Sequence, residues 1–324
     1  MTKLERIIIT KTPIAFILNK SKHWYLPGFE GVPLYDVVRF FYGQVKTVGL
    51  TERASAIAYN FIMAIPPSFL FLFTLIPNLP FIKKKEILKQ LSLIIKDILP
   101  AEGYNKTIIT FIDKTFFQTP VFGLLSFGLL LALFFASNAM MGLMRSFNKN
   151  YIGFQKRKGL QDRWIAIRLT SLIFGLVLGC LIILITQGAV LKWFGLKSAF
   201  WLDMILYLRW LLIIALVFYS TAFIYKYAPA VQKRWKLTSP GTILATFLCI
   251  MASLGFSYFV NEFGRYNALY GSIGTIIVLM ALIFINSLIL LIGFELNVSI
   301  KSLKLIADKR VAEEKRLENA DKNT

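Results

Sequence analysis

Six long stretches of this chain carry apolar side chains at nearly every position, with charged and turn-forming residues gathered between them. Residues 121–144, 169–191, 241–260 and 272–294 contain no charge at all. A helix rising 1.5 Å per residue needs about 20 residues to cross about 30 Å of hydrocarbon, and each stretch is long enough. Residues 204–225 qualify with Arg209 near one end, and 54–76 qualify if Pro66 and Pro67 can be accommodated. The pattern therefore predicts an all-α fold, a polytopic membrane protein built as a bundle of six transmembrane helices. A membrane β-barrel is excluded, because its strands would alternate every second residue in segments of about ten.

The segments between the spans have helical periodicity of their own. In 34–52, apolar or aromatic residues fall at 34, 37, 38, 41, 45 and 48, which predicts an amphipathic helix on the membrane surface. The long connection 80–119 holds Ile87, Leu88, Leu91, Ile94, Ile95 and Ile98 on one side before Pro100, and predicts two amphipathic helices resting on the opposite leaflet. The expected organisation is a cytoplasmic segment with its amphipathic helix over 1–53, a membrane domain over 54–300, and a charged cytoplasmic tail over 301–324 that prolongs the last span.

Composition sharpens this picture. The chain is 56% hydrophobic with mean hydropathy +0.63, and its formal net charge of +20 would suggest nucleic acid if it were evenly spread. It is not. With the amino terminus inside, the segments on that side hold 25 Lys and Arg and the opposite loops hold 10. That is the positive-inside bias of a multi-pass membrane protein with both termini cytoplasmic. The basic loops are expected to meet anionic lipid headgroups, and nucleic acid is not expected as a partner, even at the aromatic and basic loop 145–164. A second copy of the chain or envelope proteins are its candidate protein partners. Cys180 and Cys249 fall inside spans and define no disulfide framework. The first residues, interrupted by Lys11 and Pro13, read as a retained segment rather than a cleaved signal.

Candidate chemistry is sparse. His23 is the single histidine, and no HxxxH, CxxC, GxSxG or phosphate-cradling glycine loop occurs. No enzyme activity, metal or cofactor is expected. Pro66 and Pro67 lack backbone N–H groups and free the carbonyls of Ile62 and Met63, which must find partners in protein or a wet cavity. The same helix aligns Ser55, Tyr59, Ile62 and Pro66, with Asn60 beside them. Two readings stand: a kinked helix satisfied by its neighbours, or a broken helix lining a path or lipid-binding groove. Glu295 is the one carboxylate placed inside a span, about 9 Å inward of Lys301. Its candidate partners are Arg145, Arg168 or the basic 226–236 loop, as a structural salt bridge or as a functional carboxylate. Gly175 and Gly179 form a GxxxG pair expected to seat another helix of the chain, and Gly241 with Ala245 has the same spacing.

The carboxyl-terminal half, YKYAPAVQKRWKLTSPGT followed by NEFGRYNALYGSIGTIIVLMALIFINSLILLIGFELNVSI, resembles the YihY/BrkB family of bacterial inner-membrane proteins. The matching positions are Tyr225, Pro229, Pro240, Gly241, Tyr270, Gly271, Ser272, Gly274, Gly293, Glu295, Leu296 and Asn297. In the amino-terminal half, RASAIAYNFIMAIPPSF places Ser55, Tyr59 and Pro66 at family positions, and Asn148 and Tyr151 also match. Ile57 and the added Pro67 depart from the pattern. The resemblance implies a six-helix membrane protein whose members carry the labels virulence factor and ribonuclease BN. It also implies a turn around Tyr270 to Gly274.

These observations lead to one expectation: a transporter or flippase-like exporter of a lipidic or amphipathic envelope molecule. Its polar cavity, between the first, fifth and sixth spans, would be bordered by Ser55, Tyr59, Asn60, Pro66, Tyr270, Glu295 and Asn297. A non-catalytic scaffold in envelope assembly is the alternative, and ribonuclease activity is not expected.

Overall fold

The computed structural model describes residues 20–47, 49–75, 122–148, 151, 154–155, 157, 159–193, 199–231, 234–262 and 266–321, with short pieces between 88 and 114. Over 73–74, 122–125, 185–193, 199–206, 260–262, 266–276, 316–317 and 320–321 it describes the backbone alone. Seven helices are described: α1 Leu34–Thr47, α2 Leu50–Leu75, α3 Phe122–Phe147, α4 Gly159–Trp193, α5 Ala199–Tyr227, α6 Pro240–Glu262 and α7 Tyr266–Asp321. The last six are long and apolar enough to cross a membrane. Among the described residues the extended pairing is limited to one antiparallel bridge, Phe154 with Val231.

The helices overrun the charge-free cores predicted for them, because polar residues at the ends of a span still complete the backbone ladder. The first span begins at Leu50 rather than residue 54, and the third begins at Gly159, ten residues before 169. α7 runs 56 residues without a break at 301, about 84 Å at the helical rise. Gly271 and Gly274 lie within the early turns of α7, so the turn expected there is helix instead. α2 is also continuous through Pro66 and Pro67, which corrects the broken-helix reading. Ser68 donates to the Ala64 carbonyl at 2.7 Å, a bond that spans the proline pair. The amphipathic helices expected in 80–119 lie outside the described residues.

The ends at which α2, α4 and α6 begin and α3 and α5 finish gather with α1 at one end of the bundle, called here the basic end. α1 docks on α7 through Val37, fully buried beside Phe29, Val32 and Ile300. Of the apolar face predicted for it, Val38 is instead half exposed.

Small residues set the interhelical spacing. α2 and α3 make the most extensive contact, and a Cβ on Gly142 would come 2.7 Å from the Asn60 amide. α6 and α7 cross at Gly241 and Gly293, where a Cβ on Gly241 would lie 2.0 Å from the Gly293 carbonyl oxygen. Ala245 packs at the same crossing, as its spacing predicted. Gly175 and Gly179 do not seat a helix among the described residues: nothing lies within 4 Å of a Cβ at either. The aromatic core sits at the basic end, with Phe147 and Phe294 stacked at 4.1 Å and Tyr225, Tyr151 and Trp235 packed around them.

Candidate functional site

The buried stripe of α2 holds Leu50, Arg53, Ala54, Ile57, Ala58, Ala64 and Phe71, recurring at helical spacing. Arg53 is in phase with the apolar residues and is carried inward with them to 6% exposure. There it meets Glu295 of α7, which is 0% exposed. Arg53 Nη1 donates to Glu295 Oε1 at 2.6 Å, and the Tyr151 hydroxyl donates to the same oxygen at 2.6 Å. Arg53 Nη2 donates to the Ser146 carbonyl in the last turn of α3, where the helix dipole favours a cation. The Tyr151 phenol is held well above its usual pKa, first by burial and then by the bond and charge of Glu295, so it stays a donor. Among the described residues, Arg53 Nε and Glu295 Oε2 are buried and find no hydrogen-bond partner. One ion pair thus ties α2, α3, α7 and the loop after α3 together.

Around this cluster two loops clasp each other. Asn148 Oδ1 accepts from the Ala230 amide at 2.8 Å, and the Gln155 amide donates to the Ala230 carbonyl at 2.7 Å. Arg157 donates to the Ala228 and Pro229 carbonyls just past the end of α5, and its burial lowers the guanidinium pKa. Ser239 caps α6, with Pro240 in the first helical position and the Ser239 hydroxyl accepting from the Thr242 amide. Asn297 holds that cap in place: its Oδ1 accepts from the Gly241 amide at 2.9 Å and its Nδ2 donates to Ser239 Oγ at 2.9 Å. Asn297→Ala removes both bonds from a buried site. It is expected to cost about 2 kcal/mol, measured as a lowered thermal unfolding midpoint in detergent, with Asn297→Asp recovering part of it.

Beyond the ion pair lies open space. A cavity of about 580 Å³ is walled by all six spans, from Phe61 to Leu72 on α2 and from Asn286 to Leu290 on α7. Its nearest wall on α7 is Leu290, five residues before Glu295 in the chain and about 7.5 Å farther from the basic end. Among the described residues the walls are apolar apart from Ser68, Thr170, Ser220, Thr221, Ser253 and Asn286, and no charged side chain lines the cavity. Ser68, Thr170 and Asn286 donate to carbonyls at Ala64, Ala136 and Leu282 rather than into the space. Phe69 and Trp210, among the walls, are about half exposed, so the cavity is open at its margin.

The residues singled out from the sequence do not converge on this space. Ser55 is exposed and donates to the Thr51 carbonyl of its own helix. Tyr59 is 60% exposed, and Pro66 is exposed on the same outward face. Asn60 donates to the Ala56 carbonyl and packs against Gly142. The polar stripe of α2 thus faces away from the bundle, because the small and apolar stripe carrying Ala54, Ile57 and Ala64 takes the interior. Glu295 and Asn297 are buried in the clasp, and neither lines the cavity. The side chain of Tyr270 lies outside the described residues. The expected polar hollow beside Glu295 is therefore corrected to an ion pair in a packed layer and an apolar cavity farther along. The partner of Glu295 is Arg53, not Arg145 or Arg168, which are exposed, nor the 226–236 loop. The phase of Arg53 with Leu50 and Ile57 marks it as facing inward, but not which residue it meets.

Among the described residues no three His, Cys, Asp or Glu side chains gather closely enough to hold a metal ion. The family profile described as Virulence factor BrkB matches residues 41–318. The chain belongs to the BrkB family. The match takes in α2 to α6 whole, α7 as far as residue 318, and each member of the clasp, from Arg53 and Tyr151 to Glu295 and Asn297. YfkH of Bacillus subtilis, named as ribonuclease-like, is 29% identical over 80% of this chain and 92% of its own length. A UPF0761 membrane protein of Tolumonas auensis is 25% identical over 92% of this chain and 96% of its own. No solved structure matches the chain. This member of the BrkB family is an integral membrane protein with six apolar helices of spanning length.

Proposed function

We propose that the bundle takes up the hydrocarbon part of an amphipathic envelope lipid and acts as a transporter or flippase-like exporter for it. The reading carries no catalytic step. The observation that supports it is the cavity walled by all six spans, large, apolar and open at its margin. Such a space favours a flexible hydrocarbon chain. It gives a charged headgroup nothing to replace its hydration, so the headgroup would stay outside the walls. Orientation follows from charge: the basic end faces the cytoplasm, where lysines and arginines are favoured.

The test is photo-crosslinking in vesicles with a phospholipid bearing a diazirine at its chain terminus, mapped by mass spectrometry. Label is expected on wall residues such as Ala139, Ser220 and Thr221, as well as on the outward faces. Filling the space with Ser220→Trp is expected to abolish most of the wall labelling and leave outward labelling at Leu130 and Trp164 unchanged. Label confined to the outward faces in the parent protein would refute the proposal and favour a scaffold.

A further inference from the structure

A second cleft lies at the basic end, away from the cavity and sharing no wall with it. Its volume is about 370 Å³. Its floor combines apolar Trp235, Pro240 and Ile300 with the buried Ser239 and Asn297 of the α6 cap, while its rim carries Arg234, Lys236, Lys301 and Glu30 with the Thr238 hydroxyl. Three cations against one carboxylate leave two positive charges uncompensated in this small volume. Among the described residues neither Arg234 nor Lys236 has a carboxylate partner. Arg234 is stacked 5.2 Å over the Tyr227 ring, which presets its guanidinium.

The fourth wall is a turn that the chain builds at some conformational cost. Gly28, Glu30 and Gly31 have φ of 92°, 51° and 80°. A left-handed backbone is costless at glycine but strained at Glu30, and such strain persists only where the surroundings fix it. Phe29, buried in the small core with Val32, Val37 and Ile300, provides the anchor. Gly28 lies so close to the cap of α6 that a Cβ would stand 3.0 Å from the Pro240 ring. The result holds the Glu30 carboxylate over α7, where it accepts from Lys301 Nζ at 3.2 Å.

We infer that this cleft binds a phosphate-bearing anion, which Arg234, Lys236 and Lys301 grip after it displaces the Glu30 carboxylate from Lys301. A guanidinium fork and two ammonium groups match the tetrahedral oxygens and double charge of a phosphate monoester. The cleft has room for a headgroup, and Trp235, Pro240 and Ile300 give its first carbons apolar surface. The same chemistry is offered by a lipid headgroup and by a free phosphate, and the experiment separates them.

The full chain in maltoside micelles is titrated calorimetrically with inorganic phosphate, with dioctanoyl phosphatidic acid, and with dioctanoylglycerol as the uncharged control. Saturable binding of phosphatidic acid alone supports the site with a lipid headgroup as its source. Saturable binding of both phosphates supports it with a free phosphate. In either case Arg234→Gln with Lys236→Gln is expected to weaken binding about tenfold or more. Glu30→Gln, which removes the competing carboxylate, is expected to tighten it. Unchanged unfolding midpoints in these surface variants establish that the fold is intact. The inference is overturned if neither phosphate saturates, if dioctanoylglycerol binds equally well, or if the Arg234 and Lys236 variant binds like the parent.

Discussion

Glu295→Ala is expected to cost the folded protein about 3–5 kcal/mol, among the largest effects available to a single substitution in this chain. The variant leaves the Arg53 guanidinium at 6% exposure with no counter-ion, and it removes the acceptor of the Tyr151 hydroxyl. An uncompensated buried charge is the most expensive defect a packed layer can carry, because neither water nor a neighbour replaces the lost carboxylate. Glu295→Gln keeps an oxygen for both donors but not the charge, and should lie between Ala and the parent. The pair gives a second, sharper expectation. Arg53→Leu combined with Glu295→Leu removes both charges together and should recover most of the loss, since a buried ion pair stabilises little against an apolar replacement. Thermal unfolding in detergent, followed by labelling of the buried Cys180 and Cys249 thiols, reads both. A Glu295→Ala variant within about 1 kcal/mol of the parent would remove the ion pair from the structural core of the bundle.

Gly241→Ala should be nearly as damaging, for a steric rather than an electrostatic reason. The added Cβ would stand 2.0 Å from the Gly293 carbonyl oxygen and 2.7 Å from the Asn297 amide. The first obstacle is backbone, so no rotamer change relieves it, and α6 must move off α7. Overpacking of this kind costs about 1–3 kcal/mol, and moving α6 also breaks the Gly241–Asn297 bond, worth about 1 kcal/mol more. Gly293→Ala meets Tyr225, Gly241 and Ala245 and should behave alike. Gly175→Ala and Gly179→Ala are the internal controls. Among the described residues nothing stands within 4 Å of a Cβ at either position, so these should change stability by less than about 1 kcal/mol, with a slight gain from helix propensity. Equal behaviour of the two glycine pairs would show that the α6–α7 crossing is looser than described.

The contrast between those pairs also shows what the sequence could and could not convey. Six spans were legible because an uninterrupted apolar run long enough for the bilayer has few other uses. GxxxG spacing placed Gly175 with Gly179 on one face and Gly241 with Ala245 on another. Spacing says that two residues share a face, not which way the face points. The same limit misdirected the reading of Ser55, Tyr59 and Pro66, which do share a stripe but on the outside of α2. The ion pair joins residues 242 positions apart, and no local pattern can couple such partners. Arg53 lay four residues before Ile57 on the buried stripe, but the boundary at residue 53 left it in the cytoplasmic segment. The family resemblance reached further than periodicity did. It matched Asn148, Tyr151, Tyr225, Gly241, Gly293, Glu295 and Asn297, all of which the structure gathers into the clasp at the basic end. Those positions hold the bundle closed at that end. The apolar cavity left no mark in the sequence, since its walls are drawn from all six spans and their side chains are those of any membrane helix.

The proposed transport role depends on that cavity holding hydrocarbon in a bilayer. The most direct measurement is a cryo-electron microscopy map of the protein in lipid nanodiscs at side-chain resolution. The expected result is rod-shaped density running between Phe61, Ala139, Thr221 and Asn286, above an intact Arg53–Glu295 pair. Helices closed together there, with side chains filling the space and no such density, would contradict it.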